Sequence, residues 1–257
     1  MNANEASPRP GISAVIITLD AAAHIEACIR SLSFCEEIIV VDSGSSDGTQ
    51  SLAEKLGAKV SYNAWPGFGP QKQHALSLAT SPWILSIDAD EQVPADLAAE
   101  IVAAVSSGAA DGYEMPRKSH FLGRWMRHSG WWPDHVLRLA RRTKARFSTD
   151  IVHERMIVEG STAKLDAALL HYPIATLEDA YAKINRYSEA GARKMVAAGK
   201  RPGFGAAFGR AFWSFFSTYL LKRGCLDGRE GLINALVHAD QTYQRYLRAW
   251  QMTRNQT

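Results

Sequence analysis

Three carboxylates that follow an apolar run are the residues of this sequence best suited to chemistry. The run Trp83–Ile87 ends at Asp88, Asp90 and Glu91. Side chains two residues apart on an extended chain point to the same side, so Asp88 and Asp90 can converge. Hard dications such as Mg²⁺ or Mn²⁺ take oxygen ligands and often keep phosphate oxygens in their shell. The spacing predicts a metal-diphosphate site; the alternative is a solvated acidic turn before a helix that starts near Pro94.

A second acidic loop begins at Asp42, directly after the apolar run Glu37–Val41. Ser46 or Asp47 is predicted to cap the helix that follows this loop. The earlier turn, residues 18–24, lacks Gly-x-Gly-x-x-Gly, which disfavours a dinucleotide-dependent oxidoreductase. A carboxylate at Asp42 can still accept hydrogen bonds from a ribose or a base. Together the two acidic loops predict a site for a nucleoside-diphosphate donor.

Strands alternate with helices in the part of the chain that must position these loops. Such alternation predicts a parallel sheet with right-handed crossovers, and ligands bind at the carboxyl ends of its strands. Asp42 and Asp88 both follow predicted strands, so one cleft can hold them. The predicted strands are Ile12–Thr18, Glu37–Val41, Ala58–Tyr62 and Trp83–Ile87, and the predicted helices are Ala21–Leu32, one ending at Leu56, Gly69–Thr80 and Pro94–Val105.

The pattern changes after about residue 111. Short strands are predicted first, and the chain then becomes helical from Thr176 onward. The predicted strands are Gly112–Lys118, His135–Leu139 and Ile151–Val158, and the predicted helices are Leu177–Ala198, Phe204–Lys222 and Gly228–Met252.

Charge is unevenly distributed along a chain of otherwise ordinary composition. Residues 183–257 carry 13 Lys and Arg against 4 Asp and Glu, a net +9, and the remainder carries 16 against 22, a net −6. The asymmetry predicts contact with an anionic surface. The polar start predicts no signal peptide, and no apolar run reaches the length of a membrane span. Cys28, Cys35 and Cys225 match no zinc pattern and suit a reducing compartment.

An aromatic stripe in the basic C-terminal region predicts a helix lying in a membrane interface. Its rings fall on one helical face within residues 204–221, and basic residues flank it. The alternative is that the stripe packs on the catalytic domain or on a second subunit, so an oligomer is possible. Nucleic acid is not expected, because the rings are not interleaved along an exposed basic strand. The stripe consists of Phe204, Phe208, Phe212, Phe215 and Tyr219, flanked by Lys200, Arg201, Lys222 and Arg223.

Two stretches carry a family resemblance. Residues 40–49, VVDSGSSDGT, followed by Ile87-Asp88-Ala89-Asp90, resemble family 2 glycosyltransferases of GT-A fold. The branch that this chain resembles is that of bacterial lipopolysaccharide core β-1,4-glucosyltransferases. The branch-level matches are Lys72-Gln73, His135–Leu139, Val152–Arg155 and Leu226–Gly231. One departure is Asp20-Ala21-Ala22, where the family often has Asn-Glu-Glu.

The resemblance implies a fold and an activity. The fold is α/β, a Rossmann-like, mostly parallel sheet flanked by helices. It comprises a GT-A catalytic domain over residues 10–175, with a nucleotide-sugar half over 10–110 and an acceptor half over 111–175. A helical, basic extension follows over 176–257. The activity is inverting, metal-dependent transfer of a hexose, with UDP-glucose as donor, Mg²⁺ or Mn²⁺ as cofactor and a heptose of a lipid-linked inner core as acceptor. The implied location is cytoplasmic, peripheral on the inner face of the bacterial inner membrane.

Site roles follow from the residues and the resemblance together. Asp90 is the expected metal ligand. Inversion needs a base for the acceptor hydroxyl, and Glu154 is the first candidate and Asp134 the second. The alternative role of Glu154 is a structural ion pair with Arg138 or Arg155. The expected nucleotide-sugar contacts are Thr18, Asp20, Asp42, Ser43, Asp47, Lys72, Asp88 and Ala89, and the expected acceptor or phosphate contacts are Trp131, Trp132, Arg138 and His153.

Two other functions remain open at this point. A nucleotidyltransferase can share the sheet and the acidic site, but its first loop should be glycine-rich and basic, and the turn after Thr18 has no glycine. A non-catalytic, membrane-associated nucleotide-sugar binder would bind donor without transferring or hydrolysing it.

Overall fold

A computed structural model describes residues 11–148 and 155–254 of the chain. They form two compact units. The first contains the described residues up to Arg117 together with His135–His171, and the second contains Lys118–Asp134 and the described residues from Tyr172 onward. The predicted division into a catalytic domain and an extension at residue 175 concerns function, and it stays a prediction.

The first unit is built around a sheet with helices on both faces. Strands are numbered in chain order, and β7 belongs to the second unit. The first strands of this unit are β1 (Ile12–Thr18), β2 (Glu37–Asp42), β3 (Lys59–Tyr62), β4 (Trp83–Asp88), β5 (Glu91–Gln92) and most of β6 (Gly112–Phe121). The later strands are β8 (Asp134–Arg141), β9 (Ala145–Phe147), β10 (Met156–Val158), β11 (Thr162–Lys164) and the start of β12 (Leu169–Ile174). Its helices are α1 (Ala22–Ser31), α2 (Thr49–Lys55), α3 (Phe68–Ser77) and α4 (Ala95–Ser107), with a short 3₁₀ turn at Arg142–Lys144.

The first four strands form the parallel sheet that the sequence predicts. The strand order is β3-β2-β1-β4-β8-β6-β12-β5, and β1 pairs in parallel with both β2 and β4. The register sets Thr18 beside Asp42 and Ile17 beside Asp88. The carboxyl ends of β1, β2 and β4 therefore meet at one edge, where parallel sheets bind ligands.

Alternation along β1 supplies both layers of the core. Ile12, Ala14 and Ile16 pack with residues of α1 and α4, and Val15 packs with residues of α3 on the opposite face. A sheet covered on both faces requires apolar residues at successive positions, which is why the strand reads as a continuous β-branched run. This packing on both faces positions the strand ends at the carboxyl edge of the sheet.

Several predicted boundaries are wrong in ways that have physical causes. The residue capping α2 is Gly48, with φ +91°, and neither Ser46 nor Asp47 occupies the capping position. Asp47 still accepts the backbone N–H of Thr49 at 3.1 Å. The predicted strand Gly112–Lys118 continues to Phe121, because its last residues pair with a short strand of the second unit. Residues 151–154 of the predicted strand Ile151–Val158 lie outside the described residues.

The second unit is mainly helical. β7 (Arg124–Trp125) pairs antiparallel with the end of β6, and the helices are α5 (Leu177–Ala197), α6 (Phe204–Phe216) and α7 (Gly228–Arg254). A capping box between Thr176 and Asp179 starts α5. The predicted helix Phe204–Lys222 leaves α-helical geometry after Phe216 and continues as a π turn over Ser217–Leu221, and a 3₁₀ turn follows at Gly224–Asp227.

The predicted fold class is confirmed: a mostly parallel sheet flanked by helices, of GT-A type, with basic helices at the C-terminal end. Within residues 11–148 and 155–254, no helix combines the length and the apolar character needed to cross a bilayer.

Candidate functional site

The acidic end of β4 is held by two buried cations. Asp88 Oδ1 accepts Lys72 Nζ at 2.9 Å, and Asp88 Oδ2 accepts Arg138 Nη2 at 2.6 Å. Lys72 lies on α3 and Arg138 on β8, which pairs with β4. Lys72 is therefore buried, and its ammonium group contacts Asp88 instead of projecting into solvent.

Glu91 lies beneath this pair and is fully buried. Its carboxylate accepts the backbone N–H of Asp88 at 2.9 Å, Arg138 Nη2 at 2.6 Å and Arg117 Nη1 at 3.4 Å. Burial raises the pKa of Asp88, but the charges of Arg138 and Lys72 outweigh it and hold that pKa well below its ordinary value. Burial alone would lower the pKa of Arg138, and the two carboxylates raise it instead. Both Asp88 and Arg138 are therefore charged at neutral pH.

Asp90, two residues after Asp88, lies beside His171. Asp90 Oδ2 and His171 Nε2 are 3.6 Å apart, and the backbone of His171 on β12 pairs with that of Glu91 on β5. No group of three or more His, Cys, Asp and Glu side chains arranged for a metal occurs within the described ranges. A dication bound with a diphosphate needs only one or two protein ligands, because phosphate and water oxygens complete its shell. Asp90 and His171 fit that requirement.

The loop after β2 is organised by Asp42, whose side chain is fully buried. One oxygen accepts the backbone N–H groups of Gly44 and Ser45, each at 2.8 Å, and Gln50 Nε2 at 2.6 Å. The other accepts Thr18 Oγ1 at 2.8 Å and the Ser45 hydroxyl. Burial raises the pKa of Asp42, but the hydrogen bonds that it accepts, led by those from Ser45, outweigh burial and hold that pKa below its ordinary 3.8. A nucleoside that contacts Asp42 must displace one of these donors.

Reciprocal hydrogen bonds join this loop to the turn after β1. Ser46 N–H donates to Asp20 Oδ1 at 2.8 Å, and the backbone N–H of Asp20 donates to Ser45 Oγ at 2.8 Å. Asp47 Oδ2 accepts the N–H of Ala22 at 2.9 Å. The left-handed backbone of Asp20, with φ +50°, brings the two turns together. Asp20 and Asp47 therefore shape the edge of the sheet whatever ligand they contact.

Gln71 is a site residue that the sequence reasoning missed. It is fully buried on α3, donates to Ser43 Oγ at 3.0 Å and accepts Asn63 Nδ2 at 2.7 Å. The sequence did contain a signal for it: Gln71 directly precedes Lys72, which belongs to a stretch that matches the family branch. A buried amide at such a position needs specific hydrogen-bond partners. Glu91 was expected only as one of the three carboxylates after β4, and His171 was not expected at the site, because their contacts depend on pairing between β5 and β12, two strands that the sequence did not predict.

The remaining predicted site residues lie elsewhere or outside the described residues. Trp131, in the second unit, packs edge-on against Phe121 at 5.7 Å between ring centroids, whereas Trp132 is exposed. Asp134 begins β8 and is partly buried. His153 and Glu154 are not among the described residues. The first unit thus brings together Thr18, Asp20, Asp42, Ser43, Asp47, Lys72, Asp88, Ala89, Asp90 and Arg138 along one sheet edge.

Comparison with known proteins identifies the chain's relatives. The family model described as Glycosyl transferase family 2 matches residues 13–160. The lipopolysaccharide core biosynthesis glycosyltransferase LpsC of Rhizobium meliloti (strain 1021) is 32% identical over 93% of this chain and 94% of its own. An uncharacterised glycosyltransferase of Rickettsia bellii (strain RML369-C) is 31% identical over 92% of this chain and 84% of its own.

Among solved structures, glucosyl-3-phosphoglycerate synthase from Mycobacterium tuberculosis, in complex with Mn²⁺, uridine diphosphate and glucosyl-3-phosphoglycerate, is 29% identical, with a TM-score of 0.36. That likeness covers 43% of either chain.

Proposed function

Because the chain belongs to glycosyl transferase family 2, we propose that it transfers glucose from UDP-glucose, with inversion at the anomeric carbon, to a lipid-linked saccharide. The proposed acceptor is the heptose region of a lipopolysaccharide inner core. The likeness to a glycosyltransferase named for lipopolysaccharide core biosynthesis supports this acceptor, because it extends over almost the whole of both chains.

The observation that carries the proposal is the charge balance at the end of β4. Three cations, Lys72, Arg117 and Arg138, are matched there by three carboxylates, Asp88, Asp90 and Glu91. A dication and the two negative charges of a sugar-nucleotide diphosphate can therefore enter together without adding net charge. Placing either one alone in such a buried region would be costly.

Asp90 and His171 are the proposed ligands of the dication. When bound, a dication acts as a Lewis acid that stabilises the charge growing on the leaving diphosphate. Lys72 and Arg138 hold Asp88 in a fixed position at the end of β4, where its carboxylate would accept hydrogen bonds from donor-sugar or ribose hydroxyls. Thr18, Asp42 and Ser43 shape the loop against which the nucleoside is proposed to lie.

The transfer is a single displacement. The acceptor hydroxyl oxygen forms a bond to the anomeric carbon, and the bond from that carbon to the diphosphate oxygen breaks, leaving its electron pair on UDP. The hydroxyl proton passes to a carboxylate acting as base. Glu154 remains the first candidate and Asp134 the second. Glu154→Gln should abolish transfer while leaving UDP binding intact; unchanged turnover in that variant would assign the base to Asp134.

Donor and metal use are tested by thermal protection with a panel of nucleotide sugars, each with and without Mn²⁺. We expect protection by UDP-glucose that requires Mn²⁺ and is lost in Asp90→Asn and in His171→Gln. Asp96→Asn, an exposed carboxylate on α4, is the matched control and should behave as wild type. Protection of the wild type by UDP-glucose in chelator as strong as with Mn²⁺, or equal protection of wild type and Asp90→Asn with Mn²⁺ present, would refute the metal assignment.

Transfer itself is tested by incubating the protein with radiolabelled UDP-glucose and heptose-terminated lipid-linked core. Labelled lipid product supports the proposal. Donor that binds but is neither transferred nor hydrolysed, even slowly, at any pH would instead favour the non-catalytic binder. Release of pyrophosphate from a nucleoside triphosphate would favour a nucleotidyltransferase.

Peripheral contact with an anionic membrane is proposed for α6. Phe212 is 71% exposed and Phe208 51%, although Phe208 also touches Tyr243 on α7. The basic residues that flank the stripe, Lys200, Arg201, Lys222 and Arg223, are all exposed. An apolar strip with a basic border matches the chemistry of an interfacial helix, where each basic residue contributes about 1 kcal/mol near an anionic surface.

Co-sedimentation with phosphatidylglycerol vesicles tests this contact. Changing Phe208 and Phe212 together to Ser should weaken binding by about tenfold or more, because each ring contributes roughly 1.5–3 kcal/mol when fully buried. Leu78→Ser, an exposed apolar residue of the first unit, is the matched control. Failure of the unaltered protein to bind would favour packing of the stripe against another protein surface or a second subunit.

A further inference from the structure

An open, polar cavity of about 270 Å³ lies between α6 and α7 in the second unit. One wall comes from α6, with Arg210 and Ser214 one turn apart, and the facing wall comes from α7, with Thr242 and Arg245. Lys222 and Ser129 close the end of the cavity. Among the described residues, none that lines it is an aspartate or a glutamate.

Three cations face this cavity without a carboxylate. Within the part of the chain that the structure describes, none of Arg210, Lys222 and Arg245 forms an ion pair within 4.0 Å. Burial lowers the pKa of His238, another lining residue, and the positive charge of Lys222 lowers it further. Cations gathered in this way repel one another, and a bound anion would relieve that repulsion.

Two buried donors at the cavity lack partners. Ser129 is 5% exposed, and neither its Oγ nor Nε of Arg245 has a hydrogen-bond partner among the described residues. Ser129 is held in place: its backbone has φ +61°, and its N–H donates to the carbonyl oxygen of Lys222 at 2.8 Å. Gly224 lies so close to Ser129 Oγ that a Cβ there would approach it to 2.5 Å. Buried donors without partners are rare in folded proteins, so these two indicate a missing acceptor.

We propose that this cavity binds a phosphate group. A phosphate offers several strong acceptor oxygens, and guanidinium, ammonium and hydroxyl donors are the groups that recognise it. Arg245, Lys222 and Arg210 supply charge, and Ser129 supplies the buried donor. The hydroxyls of Ser214 and Thr242 lie on the same walls, but Thr242 donates to Ser214 Oγ and Ser214 donates to the His238 carbonyl oxygen, each at 3.3 Å, so they would reach a phosphate only by turning. The phosphate belongs either to a small soluble ester or to a lipid headgroup, since both present the same oxygens.

Calorimetric titration of the full chain at constant ionic strength tests the site. The two probes are inorganic phosphate and dihexanoyl phosphatidic acid, which is soluble and carries the same group on a lipid. Lys222→Gln and Arg245→Gln should each weaken binding by about tenfold or more, the usual effect of losing a hydrogen bond to a charged group. Ser129→Ala should weaken it several-fold. UDP protection should stay unchanged in all three variants.

Arg229→Gln is the matched control, because Arg229 is an exposed cation of α7 that does not line the cavity. Lys222 is also exposed, so its replacement leaves the fold intact even if Arg245→Gln does not. Variant-sensitive binding of inorganic phosphate supports a site for soluble esters, and variant-sensitive binding of phosphatidic acid alone supports a headgroup site. The proposal is overturned if neither probe binds, if binding is insensitive to Lys222→Gln, or if Arg229→Gln weakens it equally.

Discussion

Arg138 provides the sharpest test of how the acidic end of β4 is held together. Its guanidinium donates to Asp88 and to Glu91, each at 2.6 Å, and the side chain is 9% exposed. Arg138→Met keeps an unbranched apolar stem of similar volume and removes the guanidinium group with its charge and donors. Asp88 would then retain Lys72, and fully buried Glu91 would retain the longer contact to Arg117 at 3.4 Å.

The expected cost is set by the carboxylate left behind. Removing one partner of a buried ion pair typically destabilises a protein by about 3–5 kcal/mol, because the other charge stays buried without compensation. For a chain of this size that corresponds to a fall in melting temperature of roughly 10 °C. Arg138 holds the pKa of Asp88 down, so Asp88 should become protonated at a higher pH in the variant than in the wild type. As the pH is lowered, the variant should therefore lose donor binding first.

Thermal unfolding at neutral pH is the assay, and Arg30→Met is the matched control. Arg30 pairs with Glu26 at 2.8 Å, but both side chains are exposed, so that pair should contribute at most about 1 kcal/mol. Glu91→Gln in the Arg138→Met background should recover part of the loss, because it removes the uncompensated charge. If the melting temperature of Arg138→Met equals that of Arg30→Met, the expected role of Arg138 is refuted.

Three further predictions concern buried groups. Glu37→Gln should remove about 3 kcal/mol of stability near neutral pH, and the exposed Glu36→Gln is its control. Burial raises the pKa of Glu37, but its hydrogen bonds outweigh burial and lower that pKa from 4.5 to about 2. Urea unfolding should therefore show the stability advantage of the wild type above pH 4.5 and its loss as the pH falls toward 2. Iodoacetamide should label exposed Cys225 well before Cys28, whose pKa is raised by burial and then by Glu91; equal labelling rates would contradict this. Asp227→Asn should destabilise the protein by roughly 2 kcal/mol in thermal unfolding, because Asp227 accepts the backbone N–H of His128 at 2.8 Å in a buried position; an unchanged melting temperature would contradict that role.

The fold and the edge of the sheet were largely predictable, because their signals are local. The β-branched runs of β1, β2 and β4 gave strand positions to within about a residue, and alternation with helices gave the parallel order. Parallel order alone requires Asp42 and Asp88 to share an edge. The roles of these residues toward a donor remain predictions.

The partners of the site residues were not predictable in the same way. Arg138 was expected to contact the acceptor or a phosphate, or to pair with Glu154, whereas among the described residues its carboxylate partners are Asp88 and Glu91. That arrangement depends on β8 pairing antiparallel with β4, across more than 40 residues of intervening chain. Nothing in the local sequence encodes such a pairing.

The sequence by itself determined the family, the sheet and the carboxylates at its ligand-binding edge, because periodicity and short motifs act over a few residues. Only the tertiary structure decided the electrostatics of that edge. It buried Glu91, placed His171 beside Asp90 through the pairing of β12 with β5, and saturated Asp42 with donors from its own loop. It also left three cations and two buried donors facing one cavity between α6 and α7. The physical reason is that charge and hydrogen-bond partners come from elements distant in sequence, so their balance exists only once the chain is packed.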